Sequence, residues 1–151
     1  MAKIEREIIK LLALRPHKEF YGQEIAKKVK CSKGSASMIL KSLAGKKIVF
    51  QKKVGNMKFY QINGDNPLIM QFKIGLAMGE LGELVEKLKK ISSKIILFGS
   101  SSRGEQTIDS DIDLFILSKD RGKVLEIIRK SKKIGFPVKP IIKNQNEWSE
   151  M

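Results

Sequence analysis

Cysteine and histidine are almost missing from this chain of 151 residues, which has one of each, Cys31 and His17. A single cysteine cannot close an internal disulfide, and with a single histidine it cannot build a zinc site from those two ligand types. Both are read as ordinary filler. Long apolar runs are missing too. The longest, such as Ile95 to Phe98, span four residues, whereas a membrane-spanning helix needs about 20. No basic-then-apolar leader opens the sequence, so a cytoplasmic chain with no membrane partner is expected. Internal repeats and low-complexity tracts are also absent. What is present, 42% hydrophobic and 30% charged residues, suits a folded chain of one ordinary domain or two very small ones.

Acidic residues are scarce relative to basic ones: 16 Asp plus Glu against 30 Lys plus Arg, a net charge of +14 and a pI near 9.9. The imbalance is concentrated at the front. Residues 1–66 hold 15 basic and 5 acidic side chains, a net of +10, and residues 67–151 hold 15 and 11, a net of +4. A basic half points to a polyanionic partner, for which nucleic acid is the usual choice. The plainer reading is lysine used simply to solvate a surface.

Patterning divides the chain near residues 64–67. Ile4, Ile8, Leu11 and Leu12 share one face of a helix over Ala2 to Leu14, ended by Arg15-Pro16. A second helix is expected from about Tyr21 to Val29, with Ile25 and Val29 inward. A third runs from Ser32, a good N-cap, to Gly45, a good stop. Ile48 to Val54, the turn Gly55-Asn56 and Met57 to Ile62 read as a β-hairpin. Asn66-Pro67 opens a long helix reaching Lys90, with Phe72, Leu76, Leu84 and Leu88 among its apolar positions. Beyond it the chain alternates: a buried strand Lys94 to Phe98, a turn and short helix over Gly99 to Gly104, a strand Ile112 to Leu117, a helix Arg121 to Lys133 and a strand Phe136 to Ile142. Asp120 is expected to cap the helix at Arg121, and Asp109 to cap or solvate its loop. Glu80, Glu83 and Glu86, with Lys87, Lys89 and Lys90, read as a solvated helix face, and Trp148 as packing or an interface contact.

Three helices followed by a hairpin is the layout of a winged helix, in which the third helix reads DNA. Ala36, Ile39, Leu40 and Leu43 form its apolar face. Ser37, Met38 and Lys41 lie opposite, with Lys33 at the helix start, a set suited to phosphate and base-edge contacts. The hairpin adds Lys52, Lys53, Asn56 and Lys58, where a wing would touch the backbone. Taken alone, those lysines could simply protect an edge strand from aggregation. Over about Ile4 to Asn63 the stretches "SKGSASMILKSLAGKKIV" and "QKKVGNMKFYQING" resemble winged-helix regulators. That resemblance implies duplex DNA as ligand and often a dimer, so a homodimer is one expectation.

The sharpest string is "ILFGSSSRGEQTIDSDIDLFIL", Ile96 to Leu117. Asp111 and Asp113 stand two apart at the start of a strand, so both point to one face. Carboxylates held that close repel each other, and a divalent cation such as Mg²⁺ relieves the repulsion. Upstream, a strand runs into Gly99-Ser100. The glycine permits a sharp turn and close approach of backbone to phosphate. Ser100, Ser101, Ser102 and Arg103 add donors near a helix start, an anion-binding arrangement that is not a Walker loop.

Gly99-Ser100 followed by Ser110-Asp111-Ile112-Asp113-Leu114 is similar to the signature of minimal nucleotidyltransferases of the DNA polymerase β superfamily, over about residues 94–142. The resemblance implies transfer of a nucleoside monophosphate from an NTP to a hydroxyl. Gly99 and Ser100 would hold the triphosphate, with Arg103 as a further contact, and Asp111 and Asp113 would bind Mg²⁺ as the catalytic pair. Relatives usually supply a third carboxylate from the next strand. Here that strand, Gly135 to Ile142, contains no acid, and Lys139 or Pro140 stands where the acid is expected. Pro140 also marks an edge strand.

The expected architecture is therefore α+β: a winged helix-turn-helix over residues 1–66, then a linking helix and a small mixed-sheet nucleotidyltransferase-like domain over 67–151. The leading expectation is a DNA-binding nucleotidyltransferase-like protein using Mg–NTP. The competing one is a transcription regulator whose degenerate domain only senses nucleotide. A third is one half of a toxin–antitoxin pair.

Overall fold

Helix-spaced isoleucine and leucine at the start of the chain fold as α1, Lys3–Ala13, in a computed structural model that describes residues 1–131 and 134–151. Among the described residues are seven helices and two three-stranded sheets. The chain forms two compact units, residues 1–71 and 72–151. No helix among the described residues is long and apolar enough to cross a membrane.

In the first unit, α1 buries Ile8, Ile9, Leu12 and Ala13, while Ile4 is exposed and Leu11 half-buried. The buried stripe is thus rotated by one residue from the expected face. After β1, Phe20–Tyr21, comes α2, Gly22–Val29, which buries Ile25 and Ala26 rather than Val29. It ends on Lys30 at φ +58° in the left-handed region, with the Cys31 N–H donating to the Ala26 carbonyl at 3.0 Å. That is the six-to-one closure of a Schellman stop. Helix α3, Lys33–Gly45, begins at Ser32, whose hydroxyl accepts from the Ser35 N–H at 3.1 Å. Ala36, Leu40 and Leu43 are buried, Ile39 is half-buried, and Ser37, Met38 and Lys41 are exposed, Met38 at 75%. The helix ends at Gly45, as expected, but Gly45 is its last helical residue and does not itself take the left-handed conformation. The reversal falls on Lys47 at φ +58°, where the Ile48 N–H reaches back to the Leu43 carbonyl at 2.9 Å.

The hairpin consists of β2, Val49–Val54, and β3, Met57–Ile62, paired Val49↔Ile62 through Val54↔Met57 about Gly55 at φ +61°. Strand β1 adds to β3 through Phe20↔Tyr60 and Tyr21↔Phe59, giving the antiparallel order β1-β3-β2. Two residues are too short to show alternation, so β1 left no trace in the sequence pattern.

Helix α4, Pro67–Lys89, starts where expected, with Asn66 Oδ1 accepting from the Leu68 N–H at 2.9 Å. Within the second unit it buries Lys73, Leu76, Ala77, Leu81, Leu84 and Leu88. Burial of each leucine contributes about 2 kcal/mol, and truncating one to alanine costs about 2–5 kcal/mol. Strands β4, Ser92–Phe98, β5, Ile112–Ser118, and β6, Val138–Lys143, make a mixed sheet of order β4-β5-β6, with β4 antiparallel and β6 parallel to β5. Ile112, Leu114, Ile116 and Ile142 are buried on one face. Strand β4 is not the buried strand expected from its sequence: none of its residues is buried, and Ile96 is 40% exposed. Ile96 is the in-register partner of Phe115, on the same sheet face as Phe98 and Asp113 and opposite the buried Leu114 row, and β4 has only one neighbouring strand. Between α5, Ser100–Arg103, and β5 lies an irregular loop. Helix α6, Arg121–Lys130, is capped by Asp120, whose Oδ1 accepts from the Lys123 N–H at 2.9 Å. Helix α6 ends at Lys130, with the described Ser131 as its C-cap, short of the expected Lys133, and the part of that expectation over 132–133 lies outside the described residues.

Helix α7, Gln145–Ser149, closes with a capping box between Asn144 and Glu147. The Asn144 N–H, and then Lys143, hold the Glu147 carboxyl below the ordinary range. Trp148 packs on Phe115 at 5.2 Å between ring centroids, under the Lys94 ammonium at 4.8 Å.

Candidate active site

The register of the second sheet places the candidate residues. Phe98, at the end of β4, is the in-register partner of Asp113 on β5, and Asp113 is in turn the partner of Lys139 on β6. Phe98, Asp113 and Lys139 therefore form one row across the sheet face opposite the buried Leu114 row. Asp111, exposed, lies just outside the strand, and the buried Ile112 separates it from the half-buried Asp113. The period of the pleat brings both carboxylates to the same side.

Gly99 follows Phe98 and turns the chain with φ +72° and ψ −159°, a conformation open to glycine but not to side-chain-bearing residues. A β-carbon added at Gly99 would overlap the Asp113 carboxylate. The two halves of the motif, separated along the chain, are thus in direct contact. After Gly99 the turn is held by its own hydrogen bonds. Ser102 donates to the Gly99 carbonyl through its hydroxyl at 2.7 Å and its N–H at 3.2 Å, and the Glu105 N–H donates to the Ser100 carbonyl at 2.9 Å. The three serines therefore differ. Ser102 is committed within the turn, Ser101 is buried, and Ser100 is half-buried at the start of the helix. Ser100 is the one suited to meet a ligand. Arg103 Nε donates to Glu105 Oε2 at 2.9 Å, an exposed pair that contributes little stability and that a phosphate could exchange.

Three residues here were not foreseen. Gln106, only 1% exposed, donates through Nε2 to the Lys73 carbonyl at 2.5 Å, while its Oε1 is buried without a partner among the described residues. Lys73 itself is 5% exposed. Burial pushes its ammonium below the ordinary lysine value, partly offset by Glu105. Glu80, expected on a solvated face, accepts from the Gly135 N–H at 2.8 Å and so ties α4 to the loop before β6. Gln106 gave no sequence signal. Lys73 did: it continues the stripe of Ala77, Leu81, Leu84 and Leu88.

Among the described residues, no group of three or more His, Cys, Asp or Glu side chains gathers as a metal site. The acidic set is the Asp111/Asp113 pair. That donor set fits one Mg²⁺ completed by water and phosphate oxygens, which is how this ion is usually bound. A cavity of about 370 Å³ lies between α4 and β4, lined by Met78, Leu81, Val85, Ile95, Leu97 and others, and it includes none of Gly99, Ser100, Asp111 and Asp113.

In the first unit a cleft of about 210 Å³ is lined by Lys33, Ser37, Asn56 and Lys58, with Tyr21 and Tyr60 among its other walls. The start of α3 and the hairpin tip thus share one concavity. Burial raises the Tyr60 hydroxyl above its ordinary value. Lys53 and Lys58 are cross-strand partners, and Lys41 is exposed on α3 outside the cleft. Lys52 is not free: it pairs with Glu19 at 3.7 Å.

No curated protein and no solved structure matches this chain. Residues 80–149, which run from the second half of α4 through β4, α5, β5, α6 and β6 into α7, match the family model of the nucleotidyltransferase domain, and this segment is accordingly nucleotidyltransferase-like.

Proposed function

We propose that this protein binds Mg–NTP at the Gly99 turn and transfers the nucleoside monophosphate to an acceptor hydroxyl. The observation that carries this reading is the contact between Gly99 and the Asp113 carboxylate, within a segment matching the nucleotidyltransferase domain. The Gly99 backbone and Ser100 cradle the triphosphate, and Arg103 leaves Glu105 to join it. Asp111 and Asp113 hold Mg²⁺, which supplies positive charge to the phosphates when bound. The acceptor hydroxyl gives up its proton to solvent as its oxygen attacks the α-phosphorus, the bond from that phosphorus to the bridging β-phosphate oxygen breaks, and pyrophosphate leaves with that oxygen. The test is incubation with each labelled NTP, Mg²⁺ and cell extract. A labelled macromolecule that disappears in Asp111→Ala/Asp113→Ala supports the reading.

A second reading, a transcription regulator that binds nucleotide without transferring it, draws on one observation: the in-register neighbour of Asp113 on β6 is Lys139 and not an acid. Mg–NTP binding without transfer to any acceptor would favour it. In both readings the first unit is a winged-helix module for duplex DNA. The convergence of Lys33, Ser37, Asn56 and Lys58 on one cleft and the net +10 of residues 1–66 support that assignment. A homodimer would present two reading helices to two half-sites, and sedimentation with and without duplex tests it.

A further inference from the structure

Lys139 occupies a specific place. It is the in-register partner of Asp113 on a parallel neighbour, so the two Cα atoms are about 4.8 Å apart and both side chains share the open face of the sheet. It is exposed. Among the described residues neither Lys139 nor Asp113 enters an ion pair, whereas nearby Lys143 is held by Glu147 at 3.4 Å and Arg103 by Glu105. Strand β6 and its approaches, residues 134–146, contain no Asp or Glu. The cation beside the carboxylate pair is therefore uncommitted.

We infer that Lys139 is a triphosphate-binding residue whose ammonium provides the charge that a second divalent ion would otherwise bring, so that this site takes one metal ion per nucleotide. The inference rests on the nucleotide-site reading above. Its logic is electrostatic. Asp111 and Asp113 carry −2, one divalent ion restores neutrality, and Lys139 leaves +1 facing the triphosphate. A second divalent ion would raise this to +3 next to an ammonium, with no third carboxylate gathered beside the pair among the described residues, and like charges that close exclude each other. Replacing Lys139 by aspartate makes the protein charge −3, and two divalent ions then return the site to the same +1. The lysine stem is long enough to reach a phosphate seated over Asp113, and its ammonium forms the charge-assisted contact that phosphate oxygens favour.

The test counts metal on the full chain, with Mn²⁺ and α,β-methylene ATP as probes and the GTP analogue in parallel. Free Mn²⁺ is read by electron paramagnetic resonance and corrected for Mn²⁺ held by unbound nucleotide. Wild type should bind one Mn²⁺ per chain with the nucleotide, and Lys139→Asp should bind two. Lys139→Met should keep one Mn²⁺ and weaken nucleotide binding about tenfold. Two Mn²⁺ ions in wild type would overturn the inference. So would a single ion in folded Lys139→Asp, or unchanged nucleotide affinity in Lys139→Met. Absence of Mn²⁺-dependent nucleotide binding in wild type would instead overturn the nucleotide-site reading, and this inference with it. Lys139 is exposed, so all variants should fold, which circular dichroism checks.

Discussion

The Asp113 carboxylate lies where a β-carbon on residue 99 would have to be. Gly99 is thus required twice over, once by its positive φ and once by the acid packed against it. Gly99→Ala should lose about 1–2 kcal/mol from the backbone conformation alone. It should also displace Asp113 and abolish the rise in melting temperature produced by Mg–NTP. A Gly99→Ala protein with the wild-type ligand shift would show that the contact is incidental to binding.

Asp111 is exposed and among the described residues its side chain enters no hydrogen bond or ion pair, so Asp111→Asn should melt close to wild type. Its Mg²⁺-dependent nucleotide shift should vanish. For wild type the shift corresponds to about 2.7 kcal/mol at a hundred times the dissociation constant. Thermal melts with NTP, with Mg²⁺ and with both separate the metal-dependent part. A full shift in Asp111→Asn would remove this carboxylate from the site.

The architecture was legible where short-range chemistry decides it. Ser32, Asn66 and Asp120 cap the helices they precede, Gly55 turns the hairpin, and Pro140 lies on an edge strand. The Asp-x-Asp pair and the Gly-Ser turn could be read from spacing, but their contact could not, because strand register brings together residues far apart in sequence. The same non-local cause hid the rest. Strand β4 looked buried because its composition is apolar, yet register puts Ile96 on the sheet face of Phe98 and Asp113, away from the Leu114 row, and leaves it exposed. Glu80 looked solvated because its partner is a backbone N–H beyond residue 130. Gly45 is the last residue of α3, where a stop was legible, but the chain carries the left-handed turn on Lys47, a residue with no propensity for it.

That displacement of the turn has a measurable consequence. Lys30 and Lys47 each end a helix at φ +58°, a conformation costing a side-chain-bearing residue about 1 kcal/mol relative to glycine. Lys47→Gly and Lys30→Gly should each stabilise the chain by about 0.5–1 kcal/mol, part of the gain being offset by the freer unfolded state. Lys27→Gly, within α2, should destabilise it by about 1 kcal/mol. Urea denaturation followed by circular dichroism reads all three. Equal signs for Lys27→Gly and Lys47→Gly would contradict the assignment of the turns.

Lys73 gives the chain a pH dependence. Its folded-state value lies below the ordinary 10.5, chiefly because it is buried. As pH rises through the window between that lowered value and 10.5, the unfolded chain holds more protons than the folded one, so stability rises. Below the window, and so at neutral pH, the cost of burying the cation is present in full. Lys73→Met should therefore gain stability at pH 7, on the order of 1 kcal/mol. Its advantage should shrink as pH approaches 10.5. The difference between wild type and variant, measured at several pH values, isolates this group from the other lysines. An advantage that grows with pH would reverse the sign and refute the assignment.

The first unit should bind duplex DNA in a salt-dependent way, and the side chains predicted from sequence should not contribute equally. If Lys33, Lys41, Lys52, Lys53 and Lys58 each neutralise one phosphate, log K should fall with log salt at a slope of about −4 to −5. The geometry ranks them. Lys33 and Lys58 line the cleft with Ser37, so Lys33→Ala or Lys58→Ala should each remove about one unit of slope. Lys52 is already paired with Glu19 and must give up that partner to reach a phosphate, so Lys52→Ala should cost less. Glu19→Ala frees the lysine and should strengthen binding at low salt, an effect that disappears in the Lys52→Ala background. Titrations of the full chain with a mixed-sequence duplex at several salt concentrations read every one of these effects. No binding at low salt would remove DNA as the partner. A loss of slope in Lys52→Ala equal to that in Lys58→Ala would show that the Glu19 pair does not restrain Lys52 in the bound state.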